Sequence, residues 1–260
     1  MIRALFSGKS GMNGQQLQLD TISNNLANVN TAGFKKSRAQ FEDVFYQEIR
    51  AVGTETVDGG QVPSGIQVGL GVRPTAIQKI FTQGSLTETG AELDMAIEGD
   101  GFFQIIRDGQ EYYTRAGAFT RDAEGFIVNQ NGDRLQPEFA IPDGTVSVAV
   151  DQNGLLSAKD ADQNILGSVQ LTLHRFVNPG GLRSVGSNLF LSTDASGDPV
   201  EANPGTDGLG IVVQRFLEVS NVDVTEELVN LIITQRAFEV NSKSVQTADS
   251  MLEVVNTLVR

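Results

Sequence analysis

Apolar side chains recur every seven residues near both ends of this chain. Near the N-terminus the series is Leu5, Met12, Leu19 and Leu26, and Ile22 and Val29 add the +3 positions. Near the C-terminus it is Val224, Leu231, Phe238, Val245, Leu252 and Val259. A seven-residue apolar repeat is typical of helices that pack along one seam. The pattern therefore predicts a helix at each end of the chain, with the two helices paired through these seams.

Signals at the helix ends agree with this prediction. Asp223 and Glu226, three residues apart, have the spacing of a capping box and predict the first turn of the C-terminal helix. Gly33 predicts the end of the N-terminal helix, because glycine accepts the left-handed conformation that follows many helices. Glycines inside a helix cost roughly 1 kcal/mol each relative to alanine, so we expect this helix to need a packing partner. These interior glycines are Gly8, Gly11 and Gly14.

Between the two ends, short apolar runs alternate with turn dipeptides such as Asp108-Gly109, Asn131-Gly132 and Asn153-Gly154. Such punctuation favours many short antiparallel strands. The stretches FTRDAEGFIV (119–128) and VAVDQNGLLS (148–157) share one pattern, and each predicts a hairpin. The chain is therefore predicted to have an α+β fold, with paired, coiled-coil-like terminal helices flanking a central, mostly antiparallel β domain.

Residues 50–75 combine many glycines with alternating Ile66, Val68, Leu70 and Val72. This pattern predicts an extended arm after the first helix, and a flexible linker is the alternative. The chain is then expected to form three parts. These are a terminal helical domain (1–33 with 222–260), an arm with connecting β region (34–84 with 200–221), and a central β domain (85–199).

Composition excludes several classes of function. The net charge of −13 over 260 residues argues against nucleic acid as a partner, which requires a basic footprint. Cysteine is absent, so the chain has no disulfide framework and no zinc-thiolate site. The chain contains no run of 18 apolar residues, so no membrane-spanning helix is predicted. The N-terminus also lacks the apolar region of a secretory signal. We expect any export to proceed without a cleaved signal peptide.

A search for catalytic or ligand-binding motifs finds none. His174 is the only histidine, and its apolar surroundings favour a half-buried strand residue over a catalytic base. The Gly8-Lys9-Ser10 fragment lacks the first glycine of a phosphate-binding loop, and the loop beginning at Asp160 has Ile165 where a calcium loop needs glycine. We predict no catalytic residue, no cofactor and no metal. A secreted β-rich enzyme or glycan-binding module remains the alternative, because paired carboxylates leave no spacing signature.

Three long motifs resemble the bacterial flagellar rod and hook proteins. They are ISNNLANVNTAGFKK near the N-terminus, GSLTETGAELDMAIEGDGFFQI followed by YYTRAGAFTRDAEG in the middle, and EVSNVDVTEELVNLIITQRAFEVNSKSVQTADSML near the C-terminus. They occur in the order expected for that family and cover nearly the whole chain. The segment after the first helix resembles the distal rod proteins, and the proximal rod proteins are the second choice.

This resemblance implies a structural role and no enzymatic activity. Members of the family form a helical tube that transmits torque, with paired terminal helices around an export channel. The implied partners are further copies in a homo-polymer, other rod proteins, the hook protein, the basal-body ring proteins and the flagellar export apparatus. The implied location is the rod of the basal body, which crosses the periplasm.

The asparagines of the first motif raise the question of how subunits contact each other. On a helical wheel, Asn24 and Asn28 lie opposite the apolar seam, and Asn25 flanks it. We interpret these amides as part of an assembly face, because uncharged donors and acceptors bond without making a surface adhesive. The predicted subunit-packing residues are Leu19, Ile22, Asn24, Asn25, Leu26, Asn28, Val29, Gly33, Phe34, Leu231, Phe238, Asn241, Val245 and Leu252.

Overall fold

A computed structural model of the chain describes residues 2–50 and 64–258. Two long helices, α1 (Ile2–Ala27) and α2 (Val224–Leu258), stand at the ends of the described chain, and every other regular element between them is a strand or a short 3-10 turn, Pro179–Gly181. The predicted α+β class is confirmed. The predicted series member Val259 and residues 51–63 of the predicted arm lie outside the described residues.

The first ten strands are β1 (Ser37–Asp43), β2 (Tyr46–Arg50), β3 (Ile66–Gly69), β4 (Val72–Lys79), β5 (Leu86–Glu88), β6 (Met95–Glu98), β7 (Phe103–Arg107), β8 (Gln110–Thr114), β9 (Thr120–Arg121) and β10 (Ile127–Val128). The next ten are β11 (Arg134–Leu135), β12 (Ser147–Val150), β13 (Leu155–Lys159), β14 (Ile165–Gln170), β15 (Leu173–Arg175), β16 (Arg183–Gly186), β17 (Leu189–Leu191), β18 (Val200–Ala202), β19 (Ile211–Gln214) and β20 (Phe216–Glu218).

The chain divides into two compact units. Unit 1 comprises residues 1–26, 37–78 and 223–260, and unit 2 comprises residues 27–36 and 79–222. These boundaries differ from the three predicted parts, because strands β1 to β4 pack with the terminal helices whereas β19 and β20 pair with strands of the β region.

Unit 1 contains α1, α2 and two small sheets. Strand β1 pairs with β4, and β2 pairs antiparallel with β3 in a register that places Tyr46 opposite Gly69. A side-chain cap begins α2, since the Asp223 carboxylate accepts hydrogen bonds from the backbone amides of Thr225 at 2.8 Å and Glu226 at 3.2 Å. The predicted start of the C-terminal helix is therefore confirmed.

Unit 2 is built from antiparallel sheets. The largest has seven strands in the order β16-β17-β8-β7-β11-β10-β9, and a second has the order β12-β13-β14. Both predicted hairpins are confirmed, since β9 pairs with β10 and β12 pairs with β13. The turn between β7 and β8 is formed by Asp108 and Gly109, with φ angles of 52° and 76°. This left-handed pair is the turn that an Asp-Gly sequence favours.

The interior of unit 2 has two apolar clusters. The larger one joins residues of both sheets and includes Met95, Ile97, Ile105, Leu156 and Leu173, none of which is exposed. The smaller cluster is mainly aromatic and consists of Phe102, Tyr113, Phe176, Leu182 and Phe190, with Phe81 packed against it.

Candidate assembly interface

The two terminal helices contact each other near the start of α1. A Cβ atom added to Gly8 would lie 2.7 Å from Cγ2 of Val245, and one added to Gly11 would lie 2.9 Å from Nδ2 of Asn241. The order of these contacts shows that the helices are antiparallel. The glycines that weaken α1 as an isolated helix therefore allow its backbone to approach α2 closely.

The buried face of α2 repeats every seven residues, but its centre is partly polar. The most buried side chains of this series are Glu227, Thr234 and Ala248, at 4%, 5% and 6% exposure. Each lies three residues after a member of the predicted apolar series. Asn241, three residues after Phe238, occupies the remaining position of this kind between Thr234 and Ala248. The predicted residues Leu231, Phe238, Val245 and Leu252 are half-buried beside this line, whereas Val224 is 40% exposed.

Another side of α1 contacts the strands of unit 1. The backbone amide of Val72 donates to the Ser10 hydroxyl at 3.3 Å, and a Cβ added to Gly14 would lie 3.4 Å from the Phe41 ring. The helix that was expected to need a partner therefore has two, α2 and the arm strands.

The asparagine run spans the end of α1. Ile22 is 2% exposed and Leu19 and Leu26 are half-buried, whereas Asn24 is exposed. Asn25 is 1% exposed, and its amide bonds the backbone of Ser37 in the same chain.

Two sequence interpretations of this region are wrong. Helix α1 ends at Ala27, so Asn28 and Val29 lie in the following turn and do not continue the helical seam. The hydroxyl of Thr31 donates to the Asn28 side chain at 3.2 Å, as expected for asparagine in a turn. Gly33 is six residues beyond the helix and does not terminate it.

Gly33 instead permits a close backbone contact inside unit 2. Its φ angle is +71°, and an added Cβ would lie 2.5 Å from the backbone nitrogen of Ala116. The next residue, Phe34, is 7% exposed, and the Lys79 ammonium lies 4.8 Å from the centre of its ring. Both residues therefore pack within this chain, and their role between subunits stays a prediction.

A buried cluster of charges follows Phe34. The Lys35 ammonium donates to the Glu218 carboxylate and to the Thr82 carbonyl, and the Arg115 guanidinium lies 3.5 Å from the same carboxylate. The side chains of Lys35, Glu218 and Arg115 are 0%, 1% and 3% exposed. Burial lowers the pKa of Lys35 and of Arg115, and the charge of Glu218 opposes this shift in both.

Glu218 also joins the two ends of the unit 2 chain. Its backbone carbonyl accepts from the Gly33 amide at 2.8 Å, and its carboxylate accepts from the Gly84 amide at 2.8 Å. Glu218 and Arg115 were not predicted from the sequence, although both stand inside the quoted family motifs. A charged residue within a family motif could have marked each of them as important. The spacing of residues in the sequence does not predict that they are buried or which residues they contact.

Unit 1 presents a second apolar face on α2. Its members are Val229, Ile232, Ile233 and Val240, at 50% to 61% exposure. They form a stripe because they follow one another at helical spacing, on a side of the helix away from Thr234. We call these four residues the α2 stripe. Met251, Val254 and Val255 are also 46% to 57% exposed, but Val255 lies seven residues after Ala248 and therefore on the same side as that residue. The β2–β3 strand pair also exposes apolar side chains, of which Phe45 just before β2 is 86% exposed and Tyr46 and Ile49 are each 57% exposed.

Metal-ligating side chains are not clustered in the described part of the chain. No three of its potential metal ligands lie close enough together to hold an ion. His174 is 3% exposed in β15, so the prediction of a strand residue is confirmed, with deeper burial than expected. Among the described helices, none is long and apolar enough to cross a membrane.

Family models match three segments of the chain. Residues 5–35 match the flagella basal body rod protein model, and residues 213–258 match the C-terminal model of the flagellar basal body rod FlgEFG proteins. Residues 96–158 match the D1 domain of the flagellar hook proteins FlgE/F/G. The three matches correspond in position to the three motifs found in the sequence.

Full-length relatives agree with these matches. The flagellar basal-body rod protein FlgG of Buchnera aphidicola subsp. Acyrthosiphon pisum is 47% identical over 99% of this chain and all of its own length. The chain belongs to the flagellar basal-body rod protein family. The FlgG of Borreliella burgdorferi is 44% identical over the full length of both chains. In Bacillus subtilis, FlgG is 39% identical and the flagellar hook-basal body complex protein FlhP is 28% identical, so the chain resembles FlgG more.

Membership of the rod protein family settles the functional class. The chain is a structural protein of the flagellar basal body, and the absence of an enzymatic role predicted from the motifs agrees with that family. The alternative of a β-rich enzyme is thereby rejected.

Proposed function

We propose that this chain is a subunit of the distal flagellar rod and that its copies assemble into a helical tube. The tube transmits torque from the basal body to the hook and encloses the export channel. The observation that carries the proposal is the α2 stripe. An exposed apolar face on a helix that already packs through another side is typical of a protein contact surface. Because the same face is present on every copy, a second copy or a related rod protein is its natural occupant.

The β2–β3 strand pair supports the same proposal. All five residues of β2 are exposed, including Tyr46 and Ile49. A two-stranded sheet is marginally stable by itself, so an exposed apolar pair gains most from a neighbouring subunit. We infer that the arm crosses adjacent subunits and stiffens the tube.

The residues predicted from sequence to pack between subunits remain part of this proposal. Asn24, on the exposed side of α1, and Asn28, in the turn, are suited to polar contacts with neighbours. Leu19, Leu26, Leu231, Phe238 and Leu252 are half-buried along the two helices. We expect Phe238→Asp, or Asn24→Leu combined with Asn28→Leu, to impair assembly, and motility with normal rods would contradict these roles.

Partners and location follow from the rod role. We propose that the chain contacts other rod proteins, the hook protein and the ring proteins, and that it spans the periplasm as part of the rod. We also propose that it is exported through the flagellar apparatus without a cleaved signal peptide. An acidic surface, from a net charge of −13, disfavours adhesion between the rod and a ring of like charge.

The experiment is electron microscopy of basal bodies from a strain that lacks this protein and carries variants in its place. Ile233→Asp combined with Val240→Asp places two charges on the α2 stripe and is expected to stop the rod before its distal part. Gln235→Asp is the matched control, because Gln235 is exposed on the same helix but lies off the stripe. Full-length rods in the double variant would contradict the proposal.

A further inference from the structure

Unit 2 contains a cavity whose lining residues all belong to that unit. Its volume is about 400 Å³, within the range of pockets that bind ligands. Phenylalanine rings of Phe81, Phe102 and Phe176 line it, together with two arginines, Arg115 and Arg175. The cavity therefore combines an apolar aromatic wall with positive charge.

The aromatic wall is rigid. The rings of Phe81 and Phe102 meet edge to face with centroids 5.4 Å apart, and those of Phe102 and Phe176 do so at 5.7 Å. Phe102 and Phe176 are 4% and 3% exposed, so neighbouring side chains hold them in place. A wall fixed in this way offers a preformed surface to an apolar or aromatic group.

Arg115 provides a donor that unit 2 leaves unused. Its Nη2 donates to the Gly99 carbonyl at 2.7 Å, and its Nε lies 3.5 Å from the Glu218 carboxylate. Its Nη1 is buried and has no hydrogen-bond partner among the described residues. Buried donors in native proteins are nearly always paired, and a guanidinium pairs best with a carboxylate. Exposed Arg175 adds a second positive charge to the same cavity.

The remaining lining narrows the choice of ligand. Asp100 also lines the cavity, and its negative charge disfavours a multiply charged anion such as phosphate. The rim includes Val177, which is 87% exposed, and Val200, which is 45% exposed. A peptide segment with one carboxylate beside an aromatic or aliphatic side chain satisfies all of these features, because its amides donate to Asp100.

The chain carries such a segment in β2. Tyr46 and Glu48 are two residues apart on one strand, so both point to the same side. Tyr46 lies across from Gly69 and Glu48 across from Gln67. Both side chains are exposed, and Phe45 and Ile49 add apolar surface next to them.

We propose that this cavity receives strand β2 of a second copy, with Glu48 beside Arg115 and Arg175 and the Tyr46 ring against the phenylalanines. The inference rests on the proposed self-assembly and names the place where the arm is held. Charge complementarity between a carboxylate and two arginines sets the register, and the aromatic contact excludes water from the pair.

Charge reversal tests the pairing in the full-length chain. Glu48→Arg and Arg175→Glu are each expected to weaken self-association by about tenfold, as for the loss of a close charge pair. The two changes together restore the pair and are expected to recover most of that loss. Arg183→Glu is the matched control, because Arg183 is exposed in unit 2 and does not line the cavity. Single variants that associate normally, or a double variant as weak as the singles together, would overturn the proposal.

Cross-linking tests whether the strand comes from another copy. The chain has no cysteine, so a Glu48→Cys chain and a Val177→Cys chain can be mixed and oxidised without interference from native thiols, and each chain oxidised alone gives the amount of symmetric dimer. A disulfide-linked dimer of the two chains is expected, and Val146→Cys, 67% exposed and outside the cavity lining, is expected to give none. Equal linkage of Glu48→Cys to Val177→Cys and to Val146→Cys would overturn the second-copy assignment. So would a disulfide that forms only within a single chain that carries both Glu48→Cys and Val177→Cys.

The outcomes separate this inference from the proposed function. If Ile233→Asp with Val240→Asp stops the rod while the charge reversals leave association unchanged, the cavity assignment is wrong and the rod role stands. If neither set of variants affects assembly, both are wrong.

Discussion

The side chain of Asn25 forms two hydrogen bonds with the backbone of Ser37. Nδ2 donates to the Ser37 carbonyl and Oδ1 accepts from the Ser37 amide, each at 2.8 Å. An asparagine amide has one donor and one acceptor group, so it pairs with both backbone groups of one residue. This contact holds the first residue of β1 against the last turns of α1.

Replacing Asn25 with Leu is expected to lower the free energy of unfolding by about 2 kcal/mol, because both backbone groups of Ser37 lose their partner. The measurement is chemical denaturation of the full-length chain. Asn13→Leu on the exposed side of the same helix is the control, with an expected change below about 0.5 kcal/mol. Equal effects at the two positions would show that the Ser37 contact contributes nothing.

Gly8→Ala is expected to destabilise the helix pair even though alanine favours the helix. The propensity gain is at most about 1 kcal/mol, whereas overpacking costs about 1–3 kcal/mol. Val245 cannot easily rotate away, because β-branched side chains are stiff. Gly14→Ala, which meets Phe41 only at ordinary contact distance, is expected to be neutral or stabilising. Thermal unfolding followed by helical circular dichroism compares the two, and Val245→Ala should rescue Gly8→Ala.

Glu218→Gln is expected to cost about 3–5 kcal/mol of unfolding free energy, because it removes the nearest counter-charge of the buried Lys35 and Arg115. Arg236→Ala removes a surface ion pair with Glu239, whose side chains are 76% and 53% exposed, and should cost below about 1 kcal/mol. Denaturant titration of both variants gives the comparison. A Glu218 variant as stable as the surface variant would contradict the importance of the buried cluster.

Stability is expected to fall below about pH 6.5 because of His174. Burial lowers the pKa of His174 in the folded chain below the unfolded value of 6.5, although Glu201 and Glu111 act in the opposite direction. The unfolded chain then binds the proton more readily, so the contribution present above pH 6.5 is lost as the pH falls, at up to about 1.4 kcal/mol per pH unit.

His174→Phe keeps a ring next to Tyr113, whose centroid lies 5.4 Å from that of the histidine. Between pH 7 and pH 5, the free energy of unfolding should fall less for the variant than for the unchanged protein. The carboxylates affect both proteins equally in this range. Because His174 is the only histidine, the difference between the two unfolding curves isolates its titration. Parallel curves would contradict the shift.

The apolar repeat predicted both helices and one edge of their contact, but not its centre. Hydrophobic periodicity detects Leu231, Phe238 and Val245, which are half-buried. The more buried positions hold Glu227, Thr234 and Ala248, of which two are polar and the third is small. No apolar pattern marks such positions, and only the +3 spacing from the predicted series identifies them.

Three motif residues in the last turn of α1 and shortly after it show a different limit. From local sequence, Asn25 was interpreted as part of an assembly face and Gly33 as a helix end, and Lys35 was given no role. Their partners are Ser37, Ala116 and Glu218, of which two are far away in the sequence. A contact between distant segments leaves no local pattern, so residue type indicated importance at these positions without indicating its cause.

Glu218 accepts hydrogen bonds from the Gly33 amide at 2.8 Å and from the Lys35 ammonium. The segment that enters the β region therefore lies next to the segment that leaves it. Material inserted at a surface turn between these two segments leaves the separation of the region's two ends unchanged. The junction therefore makes the β region an exchangeable module, in which an outer domain can grow or shrink during evolution while the chain on either side keeps its spacing.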